Sequence, residues 1–124
     1  MKDFARVLAV CVAALSCPVH AGETTCNPDS SKSSEFLPCA ALEFERAQAA
    51  LVAELGRLND LLSPRQLEEL SSDQVKWIEE RDLRCKTQAD EGLADGSEAY
   101  WGWVYDHCRA ESTWLRVDTL REWK

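Results

Sequence analysis

The sequence has little of what catalysis, nucleic-acid binding or membrane insertion requires. Its 124 residues include only two histidines and five glycines, and it has no glycine-rich phosphate loop, G-x-S-x-G or HExxH motif. Fourteen basic residues face 22 acidic ones, for a formal net charge of −8, which is the wrong sign for neutralising nucleic-acid phosphates. No apolar run approaches the roughly 20 residues of a spanning helix. These absences argue against an enzyme, a nucleic-acid binder and an integral membrane protein.

The length and composition nevertheless predict a folded protein. Hydrophobic residues make up 45% of the chain and charged residues 29%, which is ordinary for a globular protein. A chain of this length forms one domain. Because a small helical domain lacks a deep cleft, we expect no catalytic residue, no metal ligand and no cofactor.

The first 21 residues have the pattern of a secretory signal peptide. Lys2 and Arg6 precede an apolar run from Val7 to Leu15, and small residues follow up to Ala21. We expect cleavage after Ala21 and a periplasmic or secreted mature protein; acylation of Cys17 in a lipoprotein is the alternative. Residues 1–21 carry a net charge of +1, so the mature chain has a charge of −9.

Cleavage would leave four cysteines: Cys26, Cys39, Cys85 and Cys108. An even number in an exported chain predicts two disulfides. Zinc binding is the competing use of four thiols, but the sequence has no Cys-x-x-Cys pair. Proximity favours pairing Cys26 with Cys39 and Cys85 with Cys108. The second bridge would then join two consecutive helices.

Residues 22–34 are predicted to be an extended lead segment, and residues 35–124 a single helical domain. From about Glu35 onward, apolar residues recur at steps of three and four, which is typical of one helix face. Ser63-Pro64-x-Gln66 predicts the start of a second helix through a capping box. The apolar face of the first helix comprises Ala40, Phe44, Ala47, Leu51, Leu55, Leu58 and Leu62, and that of the second Leu67, Leu70, Gln74, Trp77, Arg81 and Cys85.

A third helix is predicted from about Glu98 to the C-terminus, after an acidic, glycine-containing connection. Its predicted inner face comprises Trp101, Val104, Cys108, Glu111, Leu115 and Thr119. Three helices, short connections and no strand pattern predict an all-α, up-down-up antiparallel three-helix bundle with two disulfides.

Two charged residues lie on these predicted inner faces, Arg81 on the second helix and Glu111 on the third. A buried guanidinium needs an acceptor, since an unpaired buried charge costs several kcal/mol. We interpret the two residues as a structural ion pair that fixes the register of the helices. The alternative is a ligand-binding charge in a cleft.

Two surfaces are candidates for partner contact. The connection between the second and third helices contains Asp90, Glu91, Asp95 and Glu98, although a solvated acidic turn would have the same composition. The third helix also has a second stripe of Tyr100, Trp103, His107 and Trp114. This stripe packs on the first helix or, if that helix is too distant, exposes Trp103 and Trp114 as an aromatic patch.

The spacing of several residues resembles a known family. Trp77-Ile78-x-x-Arg81-Asp82-x-x-Cys85, Gly96-Ser97 and Cys108-x4-Thr113-x2-Arg116-x3-Leu120 are similar to the exported bacterial domains named after the lysozyme inhibitor LprI. The resemblance extends from Cys26 to about Leu120. It implies an exported, disulfide-bonded helical domain. We expect its motif residues Trp77 and Arg116 to join Arg81 and Glu111 in a structural polar network.

For function, the resemblance implies a protein-binding module that inhibits lysozyme or a related cell-wall hydrolase by blocking its cleft. The expected partner is a basic protein, lysozyme or a secreted hydrolase, toward which an acidic chain would be attracted. The alternative is a periplasmic immunity protein, or an envelope stress or structural interaction protein without inhibitory activity. The oligomeric state is left open.

Overall fold

The computed structural model describes residues 25–93 and 96–123. The predicted signal peptide and Asp95 therefore lie outside the described residues. Within those ranges the chain forms three α-helices and no strand: α1 (Ser33–Leu61), α2 (Pro64–Gly92) and α3 (Glu98–Arg121). The prediction of an all-α three-helix bundle is confirmed. None of the described helices is long and apolar enough to span a membrane.

The helix boundaries follow from local capping. Ser63 precedes α2, its hydroxyl accepts from the Gln66 amide, and the Gln66 side chain accepts from the Ser63 amide, so the predicted capping box is present. Such reciprocal bonds satisfy two backbone donors that a helix start leaves unpaired. The hydroxyl of Ser97 caps α3 in the same way by accepting from the Tyr100 amide.

The third helix is the centre of the arrangement. It packs closely along both α1 and α2, whereas α1 and α2 have few close backbone approaches to each other. Phe36 and Trp103 meet near the starts of α1 and α3, and Arg57 donates to the Leu120 carbonyl near their ends, so these two helices run parallel and α2 runs antiparallel to both. The space between α1 and α2 is consequently bridged by long side chains.

The apolar core lies near the turn that joins α1 to α2. It is small, so the remainder of the interior must be filled by other residue types. Its fully buried cluster consists of Leu51 and Leu58 from α1, Leu70 from α2, and Val117 and Leu120 from α3.

The prediction for the inner face of α3 is wrong in part. Leu115 is 68% exposed and Glu111 is also exposed, whereas the buried residues of α3 are Cys108, Ala110, Thr113, Val117 and Leu120. The physical reason is that α3 contacts a helix on each of two sides. A broad face is therefore buried, and one narrow stripe does not describe it.

Both predicted disulfides are present. Cys26 pairs with Cys39 across a Cα–Cα distance of 5.1 Å, and Cys85 pairs with Cys108 across 5.5 Å. The first holds the segment before α1 against that helix, and the second joins α2 to α3. Because all four thiols are used in disulfides, they cannot form the zinc site considered above.

Candidate functional site

Arg81 of α2 lies at the centre of a polar network inside the bundle, with a residue exposure of only 4%. Its Nη1 donates to Gln48 Oε1 of α1 at 3.3 Å and to Thr113 Oγ1 of α3 at 3.2 Å. Its Nε donates to the carboxylate of the neighbouring Asp82 at 2.8 Å. One side chain thereby connects all three helices, which is what an internal structural group would do.

The expected ion pair between Arg81 and Glu111 does not form. Glu111 is exposed and lies 3.4 Å from His107 Nε2, one helical turn earlier on α3. Asp82 provides the carboxylate for Arg81 instead, and Thr113 takes the position on α3 that the sequence assigned to Glu111. Glu111 is therefore a surface residue rather than part of the network.

Arginine side chains stacked on aromatic rings fill the interior where aliphatic residues are few. Each such contact contributes about 0.5–2 kcal/mol, depending on how much water it excludes. Five of these contacts have guanidinium-to-ring distances of 4.0–5.4 Å: Arg81 with Phe44 and Trp77, Arg109 with Phe44 and Tyr105, and Arg116 with Trp77. Three of the five, Arg81 with Phe44, Arg109 with Phe44 and Arg116 with Trp77, connect different helices.

Arg116 anchors the opposite edge of this network, between α3 and α2. Its Nε donates to Gln74 Oε1 at 3.0 Å, and its Nη2 pairs with Asp73 at 2.5 Å. The buried Gln74 Nε2 has no hydrogen-bond partner among the residues that the structure describes. Trp77, Arg81 and Arg116 thus do lie together, as expected, and Glu111 is the one expected member outside the network.

The network contains members that the sequence reasoning missed: Phe44, Gln48, Tyr105, Arg109 and Thr113. A signal for three of them is present in α3. Tyr105, Arg109 and Thr113 recur every fourth residue, and Arg116 follows three residues later, so all four share one helix face. A stripe of polar and aromatic residues at this spacing can be an internal face when arginines stack on rings.

The acidic connection is shorter and more helical than expected. Asp90 and Glu91 belong to the last turn of α2, and Glu98 begins α3. The Asp90 carboxylate accepts from Lys86 Nζ and from Trp101 Nε1, the latter at 2.8 Å. The hydrogen bond from Lys86 lowers the pKa of Asp90 most, and the hydrogen bond from Trp101 lowers it further. Asp90 therefore links the end of α2 to α3, while Glu91 and Glu98 are exposed.

The second stripe of α3 contacts α1 at two points. Trp103 meets Phe36 edge to face at a centroid distance of 6.3 Å, and Trp114 Nε1 donates to Glu43 at 2.8 Å. Both tryptophans are half-buried, which agrees with packing on α1 rather than with a fully exposed patch. Tyr100 and His107 are exposed and stack on Trp103, at centroid distances of 5.8 and 5.1 Å.

A groove of about 460 Å³ lies beside Trp103, between the start of α1 and α3. Phe36, His107 and the Cys26–Cys39 disulfide are among the groups that line it. This groove and the exposed carboxylates of Glu91 and Glu98 occupy the same end of the bundle, which we call the aromatic end. It combines apolar surface with negative charge, as the surfaces that bind basic proteins do.

Comparison with models of known protein families gives a match over most of the chain. A family model described as "Lysozyme inhibitor LprI" matches residues 26–120, about three quarters of the chain. No curated protein and no solved structure matches the chain. The matched range contains both disulfides, the complete arginine network and the aromatic end.

Proposed function

Because the chain belongs to the LprI family of lysozyme inhibitors, we propose that it is an exported protein-binding module that inhibits lysozyme or a related cell-wall hydrolase. The observation that carries this proposal is the extent of the match, because residues 26–120 include nearly all of the described bundle. The folded domain itself would therefore be the inhibitor. It would act by covering the substrate cleft of its target, without chemistry of its own.

Charge supports a basic target. The chain has a formal net charge of −8, and lysozymes are generally basic and carry acidic catalytic residues in a sugar-binding cleft. Complementary fields of this kind raise the association rate and orient the two proteins before contact. The inhibition should accordingly weaken as the salt concentration rises.

We infer that the aromatic end makes the contact. Glu91 and Glu98 are exposed there, on two helix ends that the bond between Asp90 and Trp101 holds together. Since a rigid projection loses little conformational entropy on binding, a helix end suits cleft blocking better than a mobile loop. We propose that the half-buried Trp103 and Trp114 also contribute to this contact. The same is proposed for Asp95, which lies outside the described residues.

A cell-wall turbidity assay tests the function. The oxidised protein, purified after export, should protect bacterial cell walls from lysis by lysozyme when present in molar excess. No protection by folded protein from any lysozyme class would contradict the inhibitor proposal. It would favour the alternatives of an immunity protein for another secreted hydrolase or an envelope interaction protein.

A pair of charge reversals tests the contact surface. Glu91→Lys with Glu98→Lys should raise the inhibitor concentration needed for half-protection by about tenfold or more, because like charges would now meet at the contact. Glu79→Lys with Glu80→Lys is the matched control, since these residues are also exposed and change the net charge equally. Equal losses in both variants would show a general charge effect and contradict the placement at the aromatic end.

Export and processing have their own test. We propose that residues 1–21 are removed, leaving Gly22 as the first residue of a periplasmic or secreted protein. Two disulfides are typical of proteins in such oxidising compartments. Mass spectrometry of the exported protein should give the mass of residues 22–124 less four hydrogens. A lipid adduct at Cys17 would instead identify a lipoprotein.

A further inference from the structure

The bundle has an open groove between α1 and α2. On α2, Asp73 and Arg84 face α3, where they pair with Arg116 and Ser112. The groove lies on the other side of α2, with a volume of about 420 Å³, and its walls include Leu55 and Asn59 of α1 and Leu67, Ser71 and Val75 of α2. No described segment covers it, because the few close approaches between α1 and α2 leave their outer sides apart.

The groove has the dimensions of a helix site. Its α2 wall runs from Leu67 to Val75, about two turns of helix spanning about 12 Å at 1.5 Å per residue, and Ile78 continues the same helix face. Val75 in this wall is 55% exposed, Val52 lies on α1 three residues before Leu55 with an exposure of 69%, and Ile78 is also exposed. Adding a helix along such a groove converts three helices into a four-helix arrangement and buries this apolar surface.

Gly56 is a second, independent feature on the α1 side of the groove. It lies in the middle of α1, one turn after Val52, where glycine costs about 1 kcal/mol relative to alanine. A Cβ atom at this position would meet nothing within 4 Å. The fold of the chain therefore does not require glycine here. Because Gly56 has no side chain, a helix packed against this side of α1 could approach the α1 backbone more closely.

The margins of the groove are acidic. Glu68 and Glu79 on α2 are exposed and lie at helical spacing from Ser71 and Val75, and Lys76 beside Glu68 offsets part of their charge. Glu45, also exposed, lies ten residues before Leu55 on α1, beyond the end of the groove. The half-buried Asp82 is paired with Arg81 near one end. A second copy of this chain would bring its own negative charge against these margins, which disfavours self-association through the groove. A basic occupant is complementary.

From these observations we propose that the groove between α1 and α2 is a docking site for a basic amphipathic helix of a protein partner. The apolar face of that helix would lie on Leu55, Leu67 and Val75, and its lysines or arginines would pair with the acidic margins. This site is separate from the aromatic end, so the proposal does not depend on lysozyme inhibition.

A defined peptide tests the proposal directly. The probe is a helix-forming peptide of about 14 residues, with leucine at every third and fourth position and lysine elsewhere. Calorimetry with the oxidised protein should give saturable one-to-one binding, and NMR shifts should concentrate in residues 52–59 and 67–78. A peptide of equal composition in scrambled order, and one with glutamate in place of lysine, should each bind at least about tenfold more weakly.

Substitutions then locate the site. Val75→Arg should weaken probe binding by at least about tenfold, because it places an unpaired charge in the groove. Leu83→Arg is the matched control on the same helix, at an even more exposed leucine outside the groove, and should change binding less than about twofold. Both variants should retain the helical circular dichroism of the parent protein.

Three outcomes would overturn the proposal. Equal binding of the scrambled peptide would show unspecific charge attraction, and equal effects of the two arginine substitutions would place the probe elsewhere. Concentration-dependent dimerisation of the protein alone, abolished by Val75→Arg in analytical ultracentrifugation, would show that a second copy covers the groove.

Discussion

Replacing Arg81 by methionine and by alanine separates the two ways in which this side chain stabilises the bundle. Arg81 fills space between Phe44 and Trp77, with its guanidinium 5.2 and 5.0 Å from the ring centroids. It also donates hydrogen bonds to Gln48 and Thr113 on the two other helices. Methionine preserves most of the volume and removes the donors, whereas alanine removes both.

The expected magnitudes follow from these contacts. The two lost hydrogen bonds cost about 1–3 kcal/mol each because the donor is charged, but methionine avoids the cost of burying that charge and makes sulfur–aromatic contacts worth about 0.3–1.5 kcal/mol. The partner Asp82 keeps a 39% exposed side chain, so its pair with Arg81 contributes little. We therefore expect Arg81→Met to cost about 1–2 kcal/mol. Arg81→Ala also opens a cavity and should cost about 3–4 kcal/mol.

Urea denaturation of the oxidised proteins, followed by tryptophan fluorescence and circular dichroism, measures both free energies of unfolding. A methionine variant as unstable as the alanine variant would refute the reasoning, because it would show that the charged hydrogen bonds dominate rather than the filling of space. The folded methionine variant should also protect cell walls as the parent does. Loss of protection without loss of folding would make Arg81 a binding residue instead.

Three further predictions concern the disulfide, the hydrogen bond and the helix cap that fix the ends of α2. Replacing Cys85 and Cys108 together by alanine should lower the free energy of unfolding by about 3.5 kcal/mol, the chain-entropy value for a sequence separation of 23; an unchanged urea midpoint would contradict a stabilising role. The lowered pKa of Asp90 means that its carboxylate stabilises the fold above the ordinary pKa near 3.9 and that this contribution is lost as the pH falls through the lower folded value. Asp90→Asn should therefore flatten the fall of Tm below about pH 4, and an identical fall in both proteins would contradict this. Ser63→Ala should cost about 1 kcal/mol through loss of the α2 cap, measurable by urea denaturation, and a loss below a few tenths would show that Pro64 alone fixes the helix start.

The first two helices could be predicted from the sequence because their inner faces are mostly aliphatic and their boundaries carry explicit signals. Leu51, Leu58 and Leu70 are buried as the periodicity indicates. The capping box at Ser63 fixes where α2 begins, and the cysteine spacing was sufficient for the correct disulfide pairs. In these segments local preference and tertiary packing agree.

The third helix could not be predicted as well, because hydrophobicity alone does not identify its inner face. Arg109 and Arg116 lie on that face with their charges stacked on rings, and Thr113 is buried with its hydroxyl donating to the Arg109 carbonyl. Leu115, which a periodicity argument places inside, is exposed. The partner of Arg81 likewise depends on which residue of α3 faces α2. This is decided by the rotation of α3 about its own axis, which the sequence pattern did not determine.

The same network explains why this bundle has surface left for partners. Arginine–aromatic pairs are longer than the leucine pairs of an ordinary core, so they hold α1 and α2 together without close approach of the two backbones. A small chain thereby gains an interior at one side, where α3 covers the network, and keeps a groove on the other. Because methionine keeps most of the volume of Arg81, Arg81→Met should leave α1 and α2 apart and the groove open. The leucine–lysine peptide should then bind this variant within about twofold of the parent, since neither Arg81 nor its bonding partners Gln48 and Thr113 line the site. Binding at least about tenfold weaker would show that the groove depends on the charged hydrogen bonds of Arg81.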